Sequence, residues 1–317
     1  MRDILDAIDA ATAAGEKAVV ATVVSTIRSA PRQPGAKMVV TESGRLVGSV
    51  SGGCVESDVA ERANAIFAGG DPSVVHYGVA DSEAWEVGLS CGGEIDVWLE
   101  LADPELWRDV RALLDADEYG MLYTNTETGE KRLERGVLES TSLRDDGIFA
   151  EVVEGPLRVM IFGAAEAAEH LCAYGKQLGW RTTVVDARGA LATSERMPSA
   201  NEIIKAWPDE VADRIDERTI VVTLSHEERL DIPAIAAALE RRARYIGAIG
   251  AKRTQERRLA ALSEQGFSDA DLAHIHGPAG IDLGGRAPAQ VALAIAAEIV
   301  AVTSGGLKKD KPAVATA

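Results

Sequence analysis

The chain has 317 residues, 46% hydrophobic and 26% charged, the balance of an ordinary globular protein and long enough that two domains are expected rather than one. Its 50 acidic and 33 basic residues leave a formal net charge of −17, a field that repels polyphosphate and argues against nucleic acid as a general partner. Any anionic ligand must therefore be held by a local pocket of cations or backbone amides.

Three cysteines make no disulfide framework and point to reduced thiols. Met1 to Asp6 is charged and lacks a signal core, and no apolar run approaches the roughly 18 residues that a membrane span needs. A cytoplasmic protein is expected.

Residues 3 to 14 read as a helix with Ile4, Leu5 and Ile8 on one face, and Lys17 to Val24 as a buried strand. A proline-rich turn runs from Arg28 to Gly35. Lys37 to Thr41 and Arg45 to Val50 follow as two short strands around Ser43-Gly44. After Cys54, the residues Val55, Val59, Ala63, Ile66 and Phe67 form a helical stripe that ends at Gly69-Gly70. Glu94 to Leu101 alternates as a strand, and residues 104 to 155 add one helix and several short strands.

A second domain opens at Leu157. Strands are expected at Leu157–Phe162, Arg181–Asp186, Thr219–Leu224 and Tyr245–Ile249, and helices at Gly163–Leu178, Ile232–Ala243 and Ala287–Val302. That alternation implies a parallel, doubly wound sheet. The reading is thus an α/β chain: a mixed domain over 1–155, a Rossmann-like domain over 156–303, and a disordered tail from 304 to 317.

Two cysteines adjoin paired glycines, in Gly48-Ser49-Val50-Ser51-Gly52-Gly53-Cys54-Val55-Glu56 and in Gly88-Leu89-Ser90-Cys91-Gly92-Gly93-Glu94. Glycines let backbone amides approach a ligand, and a cysteine at a helix start is favoured as thiolate. The Ser51-Gly52-Gly53 amides are candidates to bind an anion, with Cys54 as ligand or nucleophile; the plain alternative is a cysteine packed in a tight turn. Cys91 precedes a strand, so packing is as good a reading there. Arg28, Arg32 and Lys37 place three cations within ten residues of a rigid loop, an anion site or a solvated face.

In the second domain, Gly163 follows a strand and Asp186 ends the next, 23 positions on, the Rossmann spacing for a ribose acceptor. The fingerprint is degraded: Ala165 stands at the second glycine position and Glu166 adds charge where a phosphate would sit, so NAD is not expected to bind well. His274 and His276, two residues apart, lack the further ligands of a metal site; the readings are a ligand contact by one of them or plain loop hydrogen bonding.

These segments together resemble the XdhC/CoxI family, accessory proteins for xanthine dehydrogenase, carbon monoxide dehydrogenase and related molybdenum hydroxylases. The resemblance rests on Ser29-Ala30-Pro31-Arg32-Gln33-Pro34-Gly35-Ala36-Lys37-Met38, on the two cysteine loops, on Val185-Asp186-Ala187-Arg188, on Tyr245 to Gly250, and on His276 to Gly284. Family members usually carry a GAGH-type turn where this chain has Gly163-Ala164-Ala165-Glu166. The resemblance implies a molybdenum cofactor chaperone that shields the cofactor, supports its sulfuration with a cysteine desulfurase and passes it to an apo molybdenum hydroxylase. It also implies a homodimer. Joined to the residues, it gives a cofactor-binding set of Arg28, Arg32, Lys37, Ser51, Gly52, Gly53, Cys54, Cys91, Gly92, Gly163 and Asp186, with Cys54 nearest the molybdenum. The competing readings are an NAD(P)-dependent oxidoreductase and a docking scaffold that holds no cofactor.

Overall fold

The structure, a computed structural model, describes residues 1–78, 89, 92–225, 227–304 and 306. Cys91, and the tail expected from Ser304 apart from Ser304 and Gly306, lie outside the described residues. The chain divides into two compact units, Met1–Gly155 and Pro156–Ala317.

In the first unit, α1 (Arg2–Ala13) leads into β1 (Ala18–Ile27), β2 (Lys37–Thr41) and β3 (Leu46–Gly48), then α2 (Glu56–Phe67), β4 (Ser73–Tyr77) and β5 (Glu94–Leu101). The five strands form an antiparallel sheet in the order β3-β2-β1-β5-β4. β1 is central and rich in β-branched residues because both its faces are covered. Val19, Ala21 and Val23 pack with Val59, Ala63 and Ile66 of α2, whereas Val20 packs with Leu5 and Ile8 of α1. The second cluster also takes in Trp107, Val110 and Leu113 of α3 (Pro104–Asp115), whose start is fixed by the Asp103 side chain accepting from the Glu105 amide. A smaller antiparallel sheet follows, β6 (Gly120–Asn125), β7 (Lys131–Arg135), β8 (Ser142–Leu143) and β9 (Ile148–Val153), in the order β7-β6-β9-β8.

The second unit alternates strand and helix. It runs β10 (Arg158–Phe162), α4 (Glu166–Gln177), β11 (Arg181–Val185), β12 (Glu202–Ile204), β13 (Thr219–Thr223), α5 (Glu228–Glu240) and β14 (Tyr245–Ala248). Then come α6 (Lys252–Glu264), α7 (Asp269–Leu272), β15 (Ile275–His276) and α8 (Pro288–Thr303). Its six strands are parallel, in the order β12-β11-β10-β13-β14-β15, so the chain reverses its direction of progress across the sheet between β10 and β13. One face packs on α4 and α8, the other on α5 and α6, which is why β10 and β13 read as unbroken apolar runs. The fold is the mixed α/β domain followed by a Rossmann-like domain that the sequence implies. Helix α6 has no counterpart in the sequence reading: its buried residues are Gln255, Arg258 and Leu262, so no apolar stripe marks it. Among the described residues no helix is long and apolar enough to cross a membrane.

Candidate functional site

The turn from Ser49 to Val55 joins β3 to α2, with Gly52 and Gly53 at positive φ of 76° and 115°. The carboxylate of Glu56 folds back into it. One oxygen accepts from Ser49 Oγ at 2.5 Å, Ser51 N at 2.9 Å and Val50 N at 3.1 Å; the other accepts from Ser51 Oγ at 2.5 Å, Gly53 N at 2.8 Å and Val55 N at 3.2 Å. Gly52 N donates instead to Ser49 Oγ at 2.8 Å. The anion expected at the Ser51-Gly52-Gly53 amides is therefore the chain's own carboxylate. Burial works to raise the Glu56 pKa, but the Ser49 and Ser51 hydroxyls and then the amides outweigh it and lower it to about 2.

Cys54 is exposed and not disulfide-bonded. Its amide donates to Ser51 Oγ at 2.9 Å, so the Glu56 clamp also fixes the backbone that presents the thiol. The residue stands outside the helix rather than opening it, since α2 begins at Glu56 with Val55 as its cap. Glu56 and Asp58 already supply negative charge to that helix start.

The three cations of the Arg28–Lys37 segment have different fates. Lys37 is the first residue of β2, and its ammonium is buried, 2.7 Å from Glu151 Oε2 and 3.0 Å from Thr22 Oγ1. Its charge is matched within the fold. Arg28, at φ 60°, is exposed and lies 3.6 Å from Glu94 Oε1. Arg32 is exposed too, and lines a cavity of about 280 Å³ with Asp3, Gly35, Lys37, Gly48 and Ser49, so one carboxylate shares the cavity with the arginine. Two glycines make this convergence possible. A Cβ on Gly48 would fall 2.3 Å from the Lys37 carbonyl oxygen, and one on Gly93 would fall 2.5 Å from that of Ser29. Gly92, at φ 74°, lies in the adjoining turn, while Cys91 is outside the described residues. The first unit thus gathers Arg32, Lys37 and Ser49 around one small cavity, and Ser49 also begins the Cys54 turn.

In the second unit, Gly163 has φ 108°, and a Cβ there would sit 2.6 Å from the Ser225 amide nitrogen. Asp186 directly follows β11 and is fully buried. It accepts from Ala164 N at 2.7 Å, from Arg188 N and Nε at 2.9 Å, and from Arg188 Nη2 at 2.7 Å. Against the burial that would raise its pKa, Arg188 and the two amides hold Asp186 below the usual carboxylate range. The carboxylate expected to take a ribose diol is already occupied.

A cavity of about 810 Å³ adjoins the ends of β10, β13 and β14, lined by Ala165, Leu224, Ile249, Ala251, Pro278 and Arg286 among others. The loop carrying Pro278 is tied down by Glu298 of α8, a residue with no motif to announce it. Glu298 accepts from Tyr245 Oη at 2.6 Å and Gly280 N at 2.7 Å, and lies 3.0 Å from His276 Nδ1. His274 Nδ1 is 2.9 Å from the Ala270 carbonyl, as the loop reading expects, whereas His276 ends β15 and turns its ring nitrogen to the Glu298 carboxylate. Among the described residues there is no group of three or more His, Cys, Asp or Glu side chains suited to hold a metal ion.

Comparison with known proteins gives a consistent picture. Residues 159–299 match the XdhC Rossmann domain and residues 11–78 match the XdhC and CoxI family. A Bacillus subtilis protein named as a probable component of xanthine dehydrogenase is 26% identical, over 92% of this chain and 95% of its own. The molybdenum cofactor insertion chaperone PaoD of Escherichia coli is 29% identical, over 95% of this chain and 88% of its own. A crystal structure from Bacillus halodurans, described as a xanthine dehydrogenase, shares the fold with a TM-score of 0.72 at 23% identity, covering 98% of both chains. Both units match the same family in order along the sequence, and the chain belongs to the XdhC and CoxI family.

Proposed function

We propose that the chain is an accessory protein of a molybdenum hydroxylase, which binds the molybdenum cofactor as cargo and passes it to the apo-enzyme. The observation that carries this reading is the likeness over 95% of the chain to a protein named a molybdenum cofactor insertion chaperone. Two features of the first unit suit it. Arg32 lines a cavity large enough for a phosphate, and Cys54 offers a soft thiol on a turn whose backbone is clamped. Protection of the cargo from oxidation, sulfuration with a cysteine desulfurase, and a homodimeric state rest on family membership alone. An NAD(P)-dependent oxidoreductase gains no support from the second unit, because Asp186 is occupied by Arg188 and Ala165 crowds the pyrophosphate approach.

Purification from cells replete with molybdate, followed by metal analysis and oxidative pterin fluorescence, tests the reading. Molybdenum and pterin should copurify. Arg32→Ala should lower both by about one to two orders of magnitude in affinity, the loss of a charge-assisted contact of about 1.5–3 kcal/mol. Cys54→Ser should fold normally and retain less molybdenum. A protein that carries neither metal nor pterin, or one that carries nicotinamide absorbance instead, would sink the reading.

A further inference from the structure

Charge is spread unevenly along this chain. Residues 1–155 hold 29 acidic and 13 basic side chains, so −16 of the net −17 lies in the first unit and −1 in the second. The helices differ in the same way. Each of α1 to α6 has at least three charged residues, whereas α8, the longest described helix at 16 residues, has only Glu298. That carboxylate is turned inward, where it accepts from Tyr245 Oη and the Gly280 amide and lies 3.0 Å from His276 Nδ1. The outward face of α8 is therefore free of charge along its whole length.

A helix places residues three, four and seven apart on one side. The buried side of α8 carries Ala292, Ile295, Ala296 and Ile299, packed into the core under the parallel sheet. The opposite side carries Gln290, Leu293, Ala297, Val300 and Ser304, with Leu293 46% exposed and Val300 38%. Ile281, 36% exposed, flanks this stripe, its amide donating to the Ala294 carbonyl at 3.2 Å. A helix that is apolar on both sides is suited to burial on both. Here one side is buried and the other is open.

The open stripe reads the same in both directions. Ala297 stands at its centre, Leu293 is four residues before and Val300 three after, and Gln290 and Ser304 are each seven residues away. A two-fold axis through Ala297 sets Leu293 against the partner's Val300 and Gln290 against the partner's Ser304, and the small alanines at the crossing let the helices approach closely. Charge selects the same surface. Copies that meet through their first units bring −16 against −16, whereas second units bring −1 against −1. We propose that the outward face of α8 is a self-association surface whose occupant is a second copy of this chain, packed antiparallel about Ala297. The inference rests on α8 and on the charge distribution, and is independent of the cofactor reading.

The test is sedimentation of the full chain over a range of concentrations. A 16-residue helix is about 24 Å long, too short to reach the roughly 800 Å² per partner of a standard interface, so a dissociation constant of about 1–100 μM is expected. Raising NaCl from about 0.05 to 0.5 M should tighten the dimer several-fold, because salt screens the repulsion between two acidic chains. Leu293→Glu and Val300→Glu should each weaken it at least about tenfold and leave the melting temperature within about 2 °C, since both side chains are exposed. Leu101→Glu, an equal charge change at a residue 44% exposed in the first unit, should leave the dimer intact. In a Cys54→Ser background, Ala297→Cys should cross-link to itself under mild oxidation. Gln290→Cys and Ser304→Cys should cross-link when mixed but not singly. The proposal fails if the chain is monomeric up to about 1 mM, which would leave the α8 face to a different protein. It fails equally if the dimer survives both α8 glutamates, if Leu101→Glu weakens it as much, or if a dimer forms without the Ala297→Cys cross-link.

Discussion

Glu56 is the residue on which the Cys54 turn depends. Its carboxylate accepts from two kinds of donor, the hydroxyls of Ser49 and Ser51 and the amides of Val50, Ser51, Gly53 and Val55, and it carries a pKa lowered from 4.5 to about 2. A carboxylate with a depressed folded pKa stabilises the native state fully above its unfolded value, and that contribution is lost as pH falls from about 4.5 toward 2. Glu56→Gln keeps the size but turns an amide NH2 toward donors, so the variant should lose about 2–4 kcal/mol at pH 7. The gap from the parent protein should close as pH falls from 4.5 to 2, because the parent loses its anion and the variant has none to lose. Denaturant titrations of both proteins at pH 7, 4 and 3 check this. A gap that stays constant with pH would mean that packing, not the charge, makes Glu56 matter.

Lys37 shows what happens when a charge that reads as a ligand contact becomes part of an element. It begins β2, and Glu151 lies in β9, so the 2.7 Å ion pair ties a strand of the larger sheet to a strand of the smaller one, with both side chains 5% exposed or less. Removing one member of such a pair leaves the other charged and buried, at a cost of about 3–5 kcal/mol, whereas apolar replacement of both is near neutral. Lys37→Met should therefore be strongly destabilised in urea, and Lys37→Met with Glu151→Leu should recover most of the loss. If Lys37→Met kept its stability and lost only ligand affinity, the lysine would belong to the binding site instead. The sequence could show the charge but not the partner, which lies 114 residues away. Legibility followed the range of each interaction. β10 and β13 were plain because burial on both faces leaves unbroken apolar runs, and the α2 stripe was plain because its buried positions recur at helical spacing. The polar α6 was hidden because its buried face includes Arg258, which is neutralised by Asp231 at 2.7 Å across 27 residues. The glycine turns were visible as places of close approach. That their amides close on Glu56, and that Asp186 closes on Arg188, depends on loop geometry that spacing alone does not dictate.

At the scale of the whole chain, the apolar clusters respect the boundary between the two units. Those built on β1, on α1 and α3, and on the smaller sheet use residues up to Val153, and those on the two faces of the parallel sheet use residues from Leu157 onward. No described cluster draws on both. Each unit is about 150 residues, a length at which a domain buries roughly 68–70% of the surface its unfolded chain exposes and is stable by itself. Residues 1–155 and 156–304, produced separately, should therefore each melt cooperatively and show dispersed amide resonances. The first should keep the acid sensitivity that Glu56 confers, since the donors to that carboxylate lie between Ser49 and Glu56 itself. The second should keep the Asp231–Arg258 pair and the Glu298 network, whose partners all lie beyond Gly155. If either piece lacks a cooperative transition, the stability of that unit comes from the rest of the chain rather than from its own core.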